Sequence, residues 1–298
     1  MKYLNTVWTT MPNILVTGSN GQLGSEIRAL ASEENIFYFT DSNALDITDR
    51  NAIECFCEEN AIDIILNCAA YTDVDEAEKE MKNADRVNHL AVKYLAEIAR
   101  MRKMKLVHIS TDYVFDGTNC KPYVEEDTTG PNGVYGSTKL LGEEVLKMVN
   151  PHNAIIIRTS WVYSSFGNNF VKTMLRLGTE REELGVIFDQ VGTPTYAGDL
   201  AKTILQIVPK IENENVEVYH FSNEGVCSWF DLAKAIFELG NVKCEVSPIE
   251  TKAYPTPAKR PYYSVLNKTK IKTAFGISIP YWKESLGECL KKIQKEKE

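Results

Sequence analysis

Tyr135 and Lys139 stand four positions apart in Tyr135-Gly136-Ser137-Thr138-Lys139, downstream of the glycine-rich run Thr17-Gly18-Ser19-Asn20-Gly21-Gln22-Leu23-Gly24. On a helix, side chains at this spacing share one face, with Cβ atoms about 6 Å apart. An ammonium beside a phenol favours the phenolate, so the pair predicts a Tyr135 pKa lowered from about 10 toward neutrality. Such a phenol gives a proton to a carbonyl oxygen, or takes one from an alcohol, while a nicotinamide moves hydride. Alone, Tyr-x-x-x-Lys equally describes an exposed polar pair. Joined to a glycine-rich turn, it points to a carbonyl reductase or an alcohol dehydrogenase.

The glycines follow the apolar run Ile14-Leu15-Val16 in the spacing Gly18-x-x-Gly21-x-x-Gly24. This spacing lets a strand turn tightly into a helix and lets a pyrophosphate approach the backbone, where bare N–H groups and the helix dipole favour an anion. It differs from the Gly-x-Gly-x-x-Gly of long-chain dehydrogenases. The cofactor expected is NADH or NADPH. Asp41 lies 17 residues past Gly24, at the end of the second strand. A carboxylate there accepts from adenosine ribose hydroxyls and repels a 2′-phosphate; it is equally a common turn residue. No basic residue occupies positions 40–43, so the pattern leans to NAD with dual use open.

The elements needed to hold these groups are visible as alternating apolar runs and helical stripes, the mark of a parallel sheet with crossover helices. Strands are predicted at Ile14–Val16, Ile36–Phe39, Ile62–Asn67, Lys105–Ile109 and Ala154–Arg158. Helices are predicted at 22–31 and 83–101, with a third carrying Tyr135 and Lys139 after a Gly/Pro/Asn-rich loop over 116–133. Beyond Ser164 the pattern predicts helices at Asn169–Leu177, Gly198–Val208, Trp229–Leu239 and Trp282–Lys295. Further strands are predicted at Val186–Phe188, Val216–Phe221 and Glu245–Ile249. The Pro-rich stretch Tyr254–Pro261 reads as an extended loop over a site, because proline cannot sit in a helix interior or inner strand. The fold class is α/β, a Rossmann-type doubly wound parallel sheet with a smaller C-terminal substrate-binding lobe. Residues 11–165 read as the dinucleotide-binding domain, and 166–298 mainly as that lobe, with some elements returning to the sheet.

The 298 residues carry a net charge of −8, which argues against a nucleic-acid surface. Seven scattered cysteines form no zinc motif and read as reduced thiols of a cytoplasmic protein. No metal is required by the chemistry, and no membrane span is expected because no apolar stretch reaches about 18 residues. Residues 1–10 lack a signal-peptide apolar region and read as an appendage preceding the fold at Met11.

At this point the chain resembles the extended short-chain dehydrogenase/reductase superfamily, and within it the dTDP-4-dehydrorhamnose reductases, from about Asn13 to about Trp282. The resemblance rests on Asn67-Cys68-Ala69-Ala70-Tyr71-Thr72-Asp73-Val74-Asp75 and Ser110-Thr111-Asp112-Tyr113-Val114-Phe115-Asp116-Gly117. It extends through the Tyr135 block, Arg158-Thr159-Ser160-Trp161-Val162-Tyr163, the block 167–176 and Asp189-Gln190-Val191-Gly192-Thr193-Pro194-Thr195. It implies that Asn20, Gly21, Gln22 and Leu23 hold the pyrophosphate. Asp46 and Ile47 would flank the adenine, and Ala69, Ala70 and Thr72 would line the nicotinamide side. Thr111 would donate to the substrate carbonyl, and Lys139 would also bind the nicotinamide ribose. Asp112, Val74 and Trp161 would contact the sugar, with Arg260 available for the diphosphate. By residue type alone, Trp161 and Val74 are also ordinary core packing and Asp112 an ordinary turn cap.

The implied reaction is reduction of the C4 ketone of dTDP-4-dehydro-6-deoxy-L-mannose to dTDP-L-rhamnose, in a homodimer by analogy. One departure stands out. The family carries Arg-Pro-x-Asn-Ser-Arg-Leu near its end, and this chain reads Arg260-Pro261-Tyr262-Tyr263-Ser264-Val265-Leu266, so the second Arg is Val265. This leaves room for a related nucleotide-linked 4-keto sugar as substrate. A non-catalytic role resembling the regulatory subunit of methionine adenosyltransferase is the reading from a different class.

Overall fold

The structure, a computed structural model, describes residues 11–32 and 35–295. The expected appendage at residues 1–10 lies outside them. The first half runs β1 (Asn13–Thr17), α1 (Gln22–Leu30), β2 (Ile36–Thr40), α2 (Arg50–Glu59), β3 (Ile64–Asn67) and α3 (Val74–Ala77). It continues with α4 (Met81–Asp85), a π-turn (Arg86–Leu90), α5 (Ala91–Arg102), β4 (Lys105–Thr111), α6 (Val134–Val149) and β5 (Ala154–Thr159). The second half opens with β6 (Val162–Tyr163), α7 (Phe170–Glu180), β7 (Glu183–Ile187), β8 (Val191–Gly192), β9 (Thr195–Tyr196) and α8 (Ala197–Ile207). It closes with β10 (Glu217–His220), β11 (Cys227–Ser228), α9 (Trp229–Gly240), β12 (Glu245–Ile249), α10 (Thr269–Phe275) and α11 (Trp282–Lys295).

Six strands form one sheet in the order β2-β1-β3-β4-β5-β10, parallel throughout. The winding direction reverses between β1 and β3, and the crevice beyond the carboxyl ends of such a reversal is where doubly wound sheets bind ligands. Alternation along each strand feeds two cores. Ile14, Val16, Leu66 and Ile157 pack with Leu23 and Ile27 of α1 and Leu200 and Ile204 of α8. Leu15, Ile65, Leu106 and Ile156 face the other way, onto Ile53 of α2, Leu95 of α5 and Leu146 of α6. Full burial of each such side chain contributes roughly 1.5–3 kcal/mol, which is why these strands read as continuous apolar runs. The second half builds a separate core around Val171, Leu184, Ile236, Leu286 and Leu290, while β10 returns to the sheet edge beside β5.

Two departures from the expected elements bear on the site. The helix α2 is not among the expected elements, although Ala52, Ile53, Phe56 and Cys57 form an apolar stripe; its start is set by Asp49, whose carboxylate accepts from the Asn51 and Ala52 amides. The long helix predicted over 83–101 is interrupted by the π-turn at Arg86–Leu90. There Asn88 crosses α6 so closely that a Cβ on Gly142 would fall 2.2 Å from the Asn88 carbonyl oxygen. Single π-turns inside helices commonly sit at functional sites.

Candidate active site

The turn after β1 is made by glycines for steric reasons. Gly18 has φ +64, and a Cβ there would lie 2.6 Å from the Ala69 Cα in the loop after β3. A Cβ on Gly24 would lie 2.5 Å from the Ser19 Cα, so Gly24 is buried under the turn and packs α1 against it. Gly21 caps α1 with no side-chain hydrogen bond, leaving the first amides of the helix to an anion. A cleft of about 910 Å³ opens here, large enough for a dinucleotide beside a sugar. Gly18, Asn20, Gly21, Gln22 and Leu23 line its floor. The tight glycine turn with open helix amides fits a dinucleotide pyrophosphate.

Asp41, Asp46 and Ile47 line the same end. Asp41 accepts from Asn20 Nδ2 at 2.7 Å and from the Asn43 and Ala44 amides at 3.0 Å each. The two backbone bonds and then the Asn20 bond hold its carboxyl below the usual range. Asp46 accepts from the Thr48 hydroxyl and amide. Ala69, Ala70, Thr72 and Val74 line the opposite wall.

At the far end, β4 delivers Thr111 and Asp112, α6 delivers Tyr135 and Lys139, and Trp161 stands after β5; all five line the cleft. The Tyr113 ring meets the Tyr135 ring edge-on at 5.5 Å. One expectation about these groups needs correction. Burial pushes the Tyr135 phenol up to about 12, with the Asp112 carboxyl adding to the rise and the Thr111 hydroxyl opposing it. Lys139 does not lower it, because Nζ turns to the Ile109 carbonyl at 2.6 Å and lies 3.5 Å from His108 Nε2. Burial brings Lys139 itself down to about 8, against the opposing influence of Glu143 and Cys68. The Thr111 hydroxyl lies 3.0 Å from Asp112 Oδ1, accepts from the Tyr113 amide and borders the Tyr135 hydroxyl. Donation to a substrate carbonyl therefore requires that hydroxyl to rotate.

Asp112 is buried, and that burial raises its carboxyl to about 7 against the Thr111 hydroxyl bond. Its Oδ2 has no partner in hydrogen-bond geometry among the described residues, although the Ser264 hydroxyl is near enough to oppose the rise, and a ligand hydroxyl could satisfy it. Trp161 holds the uncommon φ of +48 and stacks on Trp229 with ring centroids 3.6 Å apart. Only a glycine fits beneath it: a Cβ on Gly192 would come within 2.7 Å of the indole. Arg260 lies outside the cleft lining and pairs with Asp75 through two bonds of 2.6 and 3.0 Å. Val265 is buried, so its side chain is core.

Several site-building residues escaped the sequence reading. Asn88 clamps the loop after β3, accepting from the Tyr71 amide at 2.9 Å and donating to its carbonyl at 3.0 Å. It also donates to Thr138 on α6 at 3.2 Å, which ties the loop after β3 to the helix of Tyr135. Its signal was available: a lone amide in the apolar stripe of Val87, Leu90 and Ala91. Glu78 accepts from the Val134 amide at 2.8 Å and so caps α6 from outside. Behind α6, Glu143 is fully buried between Arg158, at 2.7–3.2 Å, and the Ser110 hydroxyl. These partners join only through the fold.

Comparison with known proteins identifies the family. The family model described as RmlD substrate binding domain matches residues 12–295. A dTDP-4-dehydrorhamnose reductase from Aggregatibacter actinomycetemcomitans is 43% identical over 288 residues, spanning 93% of this chain and 97% of the relative. The solved structure of a dTDP-4-dehydrorhamnose reductase from Clostridium acetobutylicum superposes with a TM-score of 0.90 at 42% identity, covering 95% of this chain and 99% of its own. That of the Bacillus anthracis reductase, in complex with NADP, gives 0.91 at 39% identity, covering 95% and 100%. With the model matched almost end to end and relatives this similar, the chain belongs to the dTDP-4-dehydrorhamnose reductase family.

Proposed function

We propose that this protein reduces the C4 ketone of dTDP-4-dehydro-6-deoxy-L-mannose to dTDP-L-rhamnose, using NADH or NADPH. The carrying observation is the gathering of Thr111, Tyr135 and Lys139 in one cleft with the glycine turn, in a chain of this family. The dinucleotide, when bound, supplies hydride to the carbonyl carbon. Tyr135 is the proton donor to the carbonyl oxygen. Its raised pKa keeps it protonated at neutral pH, which is the form reduction needs. Thr111 positions the carbonyl oxygen once its hydroxyl turns from Asp112. Asp112 offers Oδ2 to a sugar hydroxyl, and Trp161, fixed by Trp229, gives the ring a flat wall. Lys139 binds the nicotinamide ribose and supplies positive charge near the oxygen that develops charge. Residues 11–165 serve mainly the dinucleotide and 166–298 mainly the sugar nucleotide. A cytoplasmic location and a homodimeric state belong to the same proposal; light scattering tests the latter.

A second reading is favoured by one feature, the engagement of Arg260 with Asp75 and the burial of Val265 where the family has a second Arg. It keeps the chemistry and changes the nucleotide or the sugar configuration. Dinucleotide oxidation with dTDP- and UDP-linked 4-keto-6-deoxy sugars decides between them. Turnover confined to the dTDP-L-sugar supports the first reading. Turnover with neither, in protein that binds the dinucleotide, sinks both and leaves a binding subunit.

A further inference from the structure

His108 has no part in the reaction as described, yet it is the one buried histidine beside the reacting groups. A column of four buried side chains passes through it, crossing three neighbouring strands. Thr17, the last residue of β1, donates from Oγ1 to Asn67 Oδ1 at 2.7 Å. Asn67, the last residue of β3, places Nδ2 3.0 Å from His108 Nδ1 on β4. His108 Nε2 lies 3.5 Å from Lys139 Nζ. All four residues are at most 1% exposed, and Lys139 also donates to the Ile109 carbonyl at 2.6 Å and borders the cleft.

The donor count in this column is decisive. The Asn67 carbonyl accepts from Thr17, so its amide N–H donates to His108 Nδ1. An accepting Nδ1 places the single imidazole proton on Nε2. That N–H suits a neutral Lys139 amine, which accepts it, and opposes an ammonium, which also donates. In the alternative arrangement the Asn67 amide turns over, Thr17 accepts, and the imidazole proton sits on Nδ1. Nε2 then accepts from the ammonium. Lys139 gains one proton from solvent in this change, and the imidazole keeps one throughout.

We propose that His108 is a positioning residue that couples the proton on Lys139 to the hydrogen-bond direction of the Thr17–Asn67 column, and so to the root of the phosphate-binding turn. The inference rests on the proposed role of Lys139. The titratable groups facing Nζ are Glu143 from α6, Cys68 from the loop after β3 and His108 from β4, beside the Ile109 carbonyl that accepts from it. Glu143 is neutralised by Arg158, and Cys68 is driven toward its neutral thiol by burial. His108 stays neutral in both arrangements, because burial and then the Lys139 charge hold its pKa well below the usual range. Lys139, brought down to about 8, titrates where a modest change of partner matters.

The test needs no substrate, so its failure is separate from failure of the reductase assignment. Imidazole nitrogen shifts of His108 and the Cε shift of Lys139 are followed by NMR from about pH 6 to pH 10 in the wild-type protein. The expected result is a tautomer change, Nδ1–H below the Lys139 midpoint and Nε2–H above it, at one shared midpoint. In His108→Phe the ammonium loses a stronger hydrogen bond than the amine does, so the Lys139 midpoint falls by about one unit, tenfold in proton affinity. In Asn67→Asp the carboxylate fixes the Nδ1–H tautomer and the midpoint rises. The two variants bear on the partner of Lys139, and the tautomer change at the shared midpoint is the readout that a merely structural His108 does not give, because a buried charge at position 67 raises the Lys139 midpoint whatever His108 does. A single tautomer through the whole Lys139 titration overturns the proposal, and so does an unmoved midpoint in His108→Phe. Should either variant fail to fold, the wild-type titration alone decides.

Discussion

At the β1 end of the cleft the contacts come from backbone: a glycine at φ +64, a helix start with open amides and carboxylates tied to turn amides. At the β4 end they come from side chains of several elements, buried together, whose proton affinities move far from their ordinary values. Tyr135 is raised, Asp112 is raised and Lys139 is lowered, in each case chiefly by burial. Backbone sites demand particular residues at fixed local spacing. Side-chain sites demand a tertiary environment that no local spacing specifies. The first kind binds an anion by shape and dipole; the second sets which group holds a proton.

That difference is open to attack at each end. The largest effect is expected from Gly18→Val, which forces a branched side chain into the left-handed region and against the Ala69 backbone. Dinucleotide affinity by fluorescence titration should fall by about a hundredfold or more. Affinity within a fewfold of wild type would show that the turn can shift. Next, Glu143→Gln leaves Arg158 charged and buried without its partner. Denaturant unfolding should show a loss of about 3–5 kcal/mol, whereas a loss under 1 kcal/mol would mean that water reaches the pair.

A smaller effect concerns Asp112 and has a definite sign. Its folded pKa is about 7, against an ordinary value of about 4, so between those values the folded state binds more protons than the unfolded. Stability contributed by this group is present below pH ~4 and is lost as pH rises through about 7. Asp112→Asn should therefore raise the melting temperature at pH 8 more than at pH 5; an equal change at both pH values would contradict a raised carboxyl. The smallest effect is expected from Asp41→Ala. Its bonds to Asn20 and two amides already occupy the carboxylate, so the ratio of kcat/KM for NADH over NADPH should fall only a fewfold. An unchanged ratio would make Asp41 a turn residue only.

The same contrast explains what could be read in advance. The strands β1 to β5, the helix after the glycines and even the ends of β12 and α11 follow from apolar periodicity. The glycine turn was legible because a Cβ at Gly18 or Gly24 would collide with backbone. Tyr135 and Lys139 were legible as a pair, but the direction of the Tyr135 shift was misjudged. Spacing shows that two residues share a face, not that Nζ will choose the Ile109 carbonyl. Asn88, Glu78, His108 and Trp229 act across about 20 to 70 residues of sequence. Their partners Tyr71, Val134, Lys139 and Trp161 become neighbours only when the sheet is built.

If one end binds the dinucleotide and the other handles the proton, the two are separable by substitution. Tyr135→Phe tests it most directly, with dissociation constant for NADH or NADPH and kcat measured on the same preparation. The substitution removes one hydroxyl from the far end and touches nothing at the glycine turn. The expected result is a dissociation constant within about twofold of wild type and a kcat lowered by about a hundredfold or more. Near-normal kcat would contradict Tyr135 as the proton donor, and a parallel collapse of affinity would contradict the separation of the two ends.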